Sequence, residues 1–304
     1  MNNPSFDSSL KKDFNLNLIA RQVVEGFLTG LHKSPFHGFS VEFAEHRLYN
    51  PGESIRSIDW KLFARNERLF VKKYEEETNL RCQIILDQSS SMYYPEGDHN
   101  KIEFSVKAIA SLIYLLQKQR DAFGLSKFSN IIEANFPCHS TLSHLKILFG
   151  ELEKSLTKSF EPRTTSVTES LHILAETFHK RSMVIIFSDL LDSVGKIDEL
   201  FSALQHLKYN KHEVLIFHVL DHPKELNFKF NNQPYQFFDL ETNRSMKVNP
   251  LQVREYYQKT MLDFQKKLKE RAGTSGIDFI ETDIGLGFET VLLNYLLKRN
   301  RMNA

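Results

Sequence analysis

The stretch IILDQSSSM, Ile84 to Met92, decides how the chain is read. Ile84, Ile85 and Leu86 form a short apolar run of the kind buried on both faces of a parallel sheet. The run stops at Asp87, and Ser89, Ser90 and Ser91 follow. A strand that ends on a carboxylate and opens into hydroxyls sets oxygen ligands at its carboxyl end, where open α/β sheets bind ligands. The same residues suit a polar strand-to-helix turn with a serine capping the helix. The nine residues alone leave both readings open.

Downstream, strand and helix patterns alternate. Ile102, Val106, Ile109, Ile113 and Leu116 recur at helical spacing, which predicts a helix over Lys101 to Gln119. Ala122 to Phe128 reads as a strand, and Ser129-Asn130 turns it into an antiparallel edge over Ile131 to Phe136. Leu142, Leu145, Leu148, Leu152 and Leu156 mark a helix, and Val167, Leu171, Leu174 and Phe178 another. Met183 to Phe187 is a third apolar strand, again ending in oxygen at Ser188 and Asp189. A helix through Ile197 to Leu207, a strand from Glu213 to Leu220, a polar hairpin, a helix from Pro250 to Arg271, a strand over Asp278 to Thr282 and a closing helix from Phe288 to Arg299 complete the pattern. Such alternation requires a doubly wound, mostly parallel sheet, because right-handed crossovers need intervening helices.

Upstream, a helix is expected over Leu16 to Leu31. It precedes a dense segment in which Arg47, Arg56, Arg65, Arg68, Lys72 and Lys73 mix with Glu53, Asp59 and Glu75 to Glu77. The only tryptophan, Trp60, lies there. Charges packed this closely are costly to bury unless paired, so Asp59 is expected to pair with Arg56 or Arg65 beside a buried Trp60. The segment is either a salt-bridged scaffold or a partner-docking surface. The division expected is an N-terminal segment over 1–78 packing on an α/β domain over 79–304, with a hairpin insertion near 226–248.

With 39 Lys and Arg against 38 Asp and Glu, no global field draws the chain to nucleic acid or anionic lipid. Its two cysteines, Cys82 and Cys138, fit free thiols in a reducing compartment. The polar N-terminus lacks a signal-peptide core, and no apolar run is long enough to span a membrane. A cytoplasmic protein is expected.

Several enzyme classes lack their parts. There is no Gly-x-x-x-x-Gly-Lys-Ser/Thr loop and no Gly-x-Ser-x-Gly elbow. An aspartyl nucleophile at Asp87 would want a carboxylate two residues on, where Ser89 stands. The histidines, His139 and His144 among them, form no motif. What remains is an oxygen-rich strand edge suited to Mg²⁺, which favours about six oxygen ligands. Neutral hydroxyls donate little charge, so an ion held by them stays electrophilic toward an outside carboxylate.

Asp87-x-Ser89-x-Ser91, the Thr165 helix start and Asp189 resemble, in order, the metal-ion-dependent adhesion site of von Willebrand A domains. Arg47-x-Tyr49, Pro51-Gly52-Glu53, Arg56, Ile58-Asp59-Trp60, Ala64-Arg65, Val71-Lys72 and Glu75-x-Glu77 are similar to the signature of the bacterial domain-of-unknown-function 58 family. Two positions depart from that pattern: Glu53 stands where the family usually has Asp, and Thr164 where a Gly is common. The resemblance implies a von Willebrand A-like fold and Mg²⁺ or Mn²⁺ held by Asp87, Ser89, Ser91, Thr165 and Asp189, with Thr164 and Thr168 as the competing hydroxyls. It also implies a MoxR-type AAA+ ATPase as partner and a client that supplies an acidic residue. The function expected is therefore a non-enzymatic, cation-dependent interaction adaptor. A metal-dependent hydrolase at the same site and a degenerate scaffold without metal are the alternatives.

Overall fold

Cys82 to Asp87 are buried without a break, and Arg81–Asp87 forms a strand, β3, with a parallel neighbour on each side. A computed structural model describes residues 16–32, 46–48, 70–72, 80–97, 99–129, 131–157, 167–238 and 245–303. The elements are α1 (Leu16–His32), β1 (His46–Leu48), β2 (Phe70–Lys72), β3, α2 (Lys101–Lys118), β4 (Ala122–Phe128), β5 (Ile132–His139), α3 (Leu142–Thr157), α4 (Val167–Thr177) and β6 (Met183–Ser188). Then follow α5 (Ile197–Tyr209), β7 (Glu213–Leu220), β8 (Tyr235–Phe238), β9 (Ser245–Val248), α6 (Pro250–Thr274), β10 (Asp278–Asp283) and α7 (Glu289–Asn303).

The chain divides into two compact units, one running from Phe27 to Leu80 and the other holding α1 as far as Gly26 and everything from Arg81 onward. In the smaller unit β1 and β2 pair antiparallel, with His46 opposite Lys72. In the larger, Leu16, Ala20 and Val24 of α1 are fully buried. Trp60, Asp59, Arg56, Arg65, Thr164 and Thr165 lie outside the described residues.

The main sheet has the order β10-β7-β6-β3-β4-β5. All its pairings are parallel except β4 with β5. It is a doubly wound α/β sheet of the von Willebrand A-like type. Side chains alternate across it. Ile85, Val184, Ile186, Val214 and Ile216 face a layer that includes Leu171 of α4, Leu200, Leu204 and Leu207 of α5 and Leu268 of α6. Helix α2 is buried on almost every side, from Ile102 through Leu116. The apolar stripe predicted for it is real, but Ala108, Ala110, Leu112 and Leu115 fill the remaining faces.

The polar hairpin expected from sequence is present, with Tyr235 opposite Val248. Within the sheet, Gln83 donates to Ser126 Oγ at 2.9 Å and to the Phe136 carbonyl at 3.2 Å. Gly124 makes room for that network: a Cβ there would stand 2.2 Å from Gln83 Oε1 and 2.6 Å from the Phe136 oxygen.

Chain order decides where a site can form. From β3 the chain crosses to β4 and β5 on one side, then returns to β6 and β7 on the other. The direction of winding thus reverses between β3 and β6, and the crevice at their carboxyl ends is the switch point at which such sheets bind ligands.

Candidate functional site at the ends of β3 and β6

Asp87 is the last residue of β3, and Asp189 directly follows the last residue of β6. Leu86 is in register with Phe187. Both carboxylates are almost completely buried. The backbone N–H of Ser89 donates to Asp87 Oδ1 at 2.8 Å, and the hydroxyls of Ser89 and Ser91 are 3.0 Å apart. The Ser89 hydroxyl also lies within reach of Asp87, and that of Ser91 within reach of Asp189. The structure therefore brings four of the five residues singled out from sequence into one hydrogen-bonded chain. Thr165, the fifth, is outside the described residues. Thr168, a competing hydroxyl, lies in the first turn of α4.

Four further groups belong to this pocket. Ser188 donates to Asp87 Oδ2 at 2.5 Å and accepts from the Leu190 N–H at 3.0 Å. Leu190 is a buried non-glycine residue in the left-handed region, at φ 52°. That conformation costs a side-chain-bearing residue about 1 kcal/mol or more and is common where a turn aims functional groups. The N–H of Leu191 donates to Asp189 Oδ1 at 3.2 Å. Asp192 accepts from the Val167 N–H at 3.2 Å, tying the start of α4 to the turn after β6.

The residues that sequence reasoning missed are Lys101 and Glu225. Lys101 is fully buried, and its Nζ donates to Asp189 Oδ2 at 2.7 Å and to Glu225 Oε1 at 2.5 Å. Glu225 lies on a single π turn, His222–Leu226, beyond β7. Its other oxygen accepts the Asp221 N–H at 2.7 Å. The Tyr94 ring lies 6.0 Å from the Lys101 ammonium and 5.4 Å from that of Lys224, a cation–π arrangement.

The electrostatics separate the two aspartates. Burial and then the charge of Asp189 push the Asp87 carboxyl up to about 7. Burial also works to raise Asp189, but the Lys101 ammonium outweighs it and holds this carboxyl below its usual range. His218, on β7, sends Nε2 to the Asp189 carbonyl at 2.8 Å, and burial pushes its imidazole down to about 4. It is neutral at physiological pH, and among the described residues its Nδ1 has no hydrogen-bond partner.

The donor set can be weighed against a divalent cation. Among the described residues no three His, Cys, Asp or Glu side chains converge as a metal-binding group. Two carboxylates and two hydroxyls do meet, and that mixture suits a hard ion that keeps part of its water. The charges point the same way. Lys101 Nζ pairs with Asp189 at 2.7 Å and with Glu225 at 2.5 Å, Asp87 stands close enough to Asp189 to be raised by its charge, and Asp221 has Lys224 3.8 Å away. Among the described residues three buried acids thus meet one ammonium; with all three ionised the group carries a net charge of −2, which a divalent cation would balance while holding the raised Asp87 carboxyl in its charged form. The residues present fit such an ion.

Comparison with known proteins places the chain in a lineage. Curated relatives include Uncharacterized protein Mb1516 of Mycobacterium bovis, 23% identical over 206 residues that cover 68% of this chain and 63% of that one. Another is YeaD of Bacillus subtilis, 26% identical over 140 residues, 45% of this chain and 33% of that one. The chain thus spans less than two thirds of the length of either relative. Among solved structures, an aerotolerance-related membrane protein from Bacteroides fragilis aligns with a TM-score of 0.48 and 14% identity, covering 73% of this chain and 99% of that one. The SpRpn10 VWA domain aligns with a TM-score of 0.38 and 9% identity, covering 71% and 94%. No described helix is long and apolar enough to cross a membrane. A family model matches residues 45–267, a span that holds Asp87, Lys101, Asp189 and Glu225 together, and the chain belongs to the family described as Protein of unknown function DUF58.

Proposed function

We propose that this chain is a non-enzymatic protein-interaction adaptor whose docking depends on a divalent cation, Mg²⁺ or Mn²⁺. In this reading it works in the cytoplasm with a MoxR-type AAA+ ATPase on a client protein or complex. The observation that carries the reading is the excess, among the described residues, of the buried acids Asp87, Asp189 and Glu225 over the ammonium of Lys101 at the switch point of the sheet. Asp87, Ser89, Ser91 and Asp189 would hold the ion, with Thr165 joining them as the family resemblance implies. When bound, the ion supplies an electrophilic centre able to accept a carboxylate from a partner.

The chain's own groups favour binding over turnover. Ser89 and Ser91 offer lone pairs without charge. Asp189 is committed to Lys101, and Asp87 is fixed by the Ser188 hydroxyl and the Ser89 amide. The imidazole of His218 spends its Nε2 on a backbone carbonyl. None of these is poised as a general base with an open proton path.

The test is a calorimetric titration of the MoxR-type ATPase from the same genome into wild type with Mg²⁺, wild type with EDTA, and Asp87→Ala. Binding in the first case alone is expected. Equal affinity in all three ends the adaptor reading in its cation-dependent form. Turnover of a phosphate ester by wild type favours the hydrolase instead. Absence of Mg²⁺ affinity favours a scaffold.

A further inference from the structure

Lys101 is out of place by local rules. It is the first residue of α2, where the helix dipole is positive and acidic side chains are favoured. It is also completely buried, which is costly for an ammonium unless it is paired. The local work of starting the helix is done elsewhere. Asn100 caps it by accepting from the Glu103 N–H at 2.9 Å, and Glu103 supplies the first-turn acid. Nothing in the helix needs a cation at this position. Its two partners, Asp189 and Glu225, come from the ends of two other elements and lie 88 and 124 residues away in sequence.

We propose that Lys101 is the charge-setting residue of the cation site: a tethered ammonium that fixes how much negative charge the incoming ion meets. This inference rests on the cation-binding reading above and adds a role for a residue outside the adhesion motif. With Lys101 in place, a divalent ion that holds Asp87, Asp189 and Glu225 ionised brings these four side chains to neutrality, so the ion remains able to accept a further carboxylate. Without Lys101 the same ionised group carries three negative charges. An ion would then be gripped more tightly yet left in a net negative setting, which repels an acidic partner. Lys101 therefore moves two affinities in opposite directions. It weakens the hold on the ion and strengthens the hold on a carboxylate.

Removing Glu225 in the same molecule restores the charge count. That yields a series of four proteins: Lys101→Met, wild type, the Lys101→Met/Glu225→Gln double variant, and Glu225→Gln. The probe is Mn²⁺ alone, with affinity read by calorimetry and by loss of the free-ion paramagnetic resonance signal. Lys101→Met should bind Mn²⁺ more than roughly tenfold tighter than wild type, and Glu225→Gln weaker by a similar factor, because unit charges a few ångströms away act in a medium of low effective dielectric. The double variant should return to the wild-type value. Acetate added to the Mn²⁺-loaded proteins reads the second half. It should slow water-proton relaxation at lower concentration in wild type than in Lys101→Met.

The inference is overturned if Lys101→Met binds Mn²⁺ no tighter than wild type, or if the double variant does not revert. Should Lys101→Met fail to fold, the other two variants decide the matter. Glu225→Gln must weaken binding while the double variant does not. If wild type takes up no Mn²⁺ but Lys101→Met does, the adaptor reading fails and the carboxylate half of the inference is overturned with it, Lys101 being then the site's resident cation. If no member of the series binds Mn²⁺, both fall.

Discussion

The Ser188 hydroxyl reaches across from β6 to Asp87 Oδ2 on β3 at 2.5 Å, while the Ser89 N–H holds Oδ1 at 2.8 Å. Each oxygen of the buried carboxylate has its own donor, so the group is aimed before any ligand arrives. Four donor bonds converge on two serines and an aspartate here, because Ser188 also accepts from the Leu190 N–H and Ser89 also meets Ser91. Aiming does not remove the electrostatic problem of two adjacent buried carboxylates.

Asp87→Asn exposes that problem. The carboxyl is raised from 3.8 to about 7 in the folded chain, by burial and then by Asp189. A raised acid favours folding fully below its unfolded value, and that contribution is lost as the pH rises through about 7. At pH 8 in EDTA, Asp87→Asn should therefore melt higher than wild type, by roughly 1–3 kcal/mol of stability. Added Mg²⁺ should stabilise wild type and leave the variant unmoved. Thermal melts with and without Mg²⁺ check both, and a lower melting temperature for the variant in EDTA contradicts the account.

His218 titrates in the opposite sense. Its imidazole is lowered from 6.5 to about 4, chiefly by burial. The stability it contributes is complete above 6.5 and is lost as the pH falls through about 4. Unfolding free energies from urea titrations at pH 7.5 and 4.5 should differ by less in His218→Gln than in wild type, by about 2 kcal/mol.

Gly124→Ala tests the packing beneath the site. The added Cβ meets the Gln83 amide oxygen, whose group is bonded to Ser126 and Phe136, and the Phe136 backbone oxygen in the paired strand β5. A cost of about 1–3 kcal/mol is expected, read as a shifted urea midpoint with an unchanged slope. A neutral result would mean that β4 and β5 separate more easily than their register implies.

Arg299→Ala tests how α7 is fastened. The guanidinium pairs with Asp121, whose side chain is 3% exposed, and donates to the Tyr295 hydroxyl at 3.1 Å. Taking the cation from a buried carboxylate should cost about 3 kcal/mol. Arg299→Lys should recover only part of that loss, because an ammonium cannot bond both oxygens in the same plane. Equal melting temperatures for Arg299→Ala and wild type would show that α7 is held by its apolar face and the Lys298 pairs with Glu213 and Asp278.

The order and type of the sheet's elements were legible because their apolar periods are local. β7 spans the Glu213 to Leu220 expected, and β3 and β6 end in oxygen as their sequences suggest. Asp87, Ser89 and Ser91 were legible as a motif, and Asp189 as a second strand end. Lys101 and Glu225 were not. A lysine after an asparagine looks like an ordinary helix start, and pairing over 88 and 124 residues leaves no local pattern. The one available signal was a cation at the first helical position, where an acid is favoured. The full burial of α2 was hidden for a related reason. Its alanines reveal neither α3 nor α7 as the surfaces that cover them.

The central place of β3 has a consequence for lifetimes. Its amides are bonded on both sides to parallel neighbours, under helices on both faces, so they exchange with solvent only when the whole sheet opens. Asp87 ends that strand in register with Phe128 of β4, and Asp189 directly follows the equally enclosed β6, so both are anchored at the rim of the slow ladder. Glu225 is not, because its backbone belongs to a five-residue π turn past the end of β7 that can fray locally without disturbing the ladder. Lys101 is thus clasped by one partner for as long as the fold survives, and by the other for only as long as a single turn stays closed.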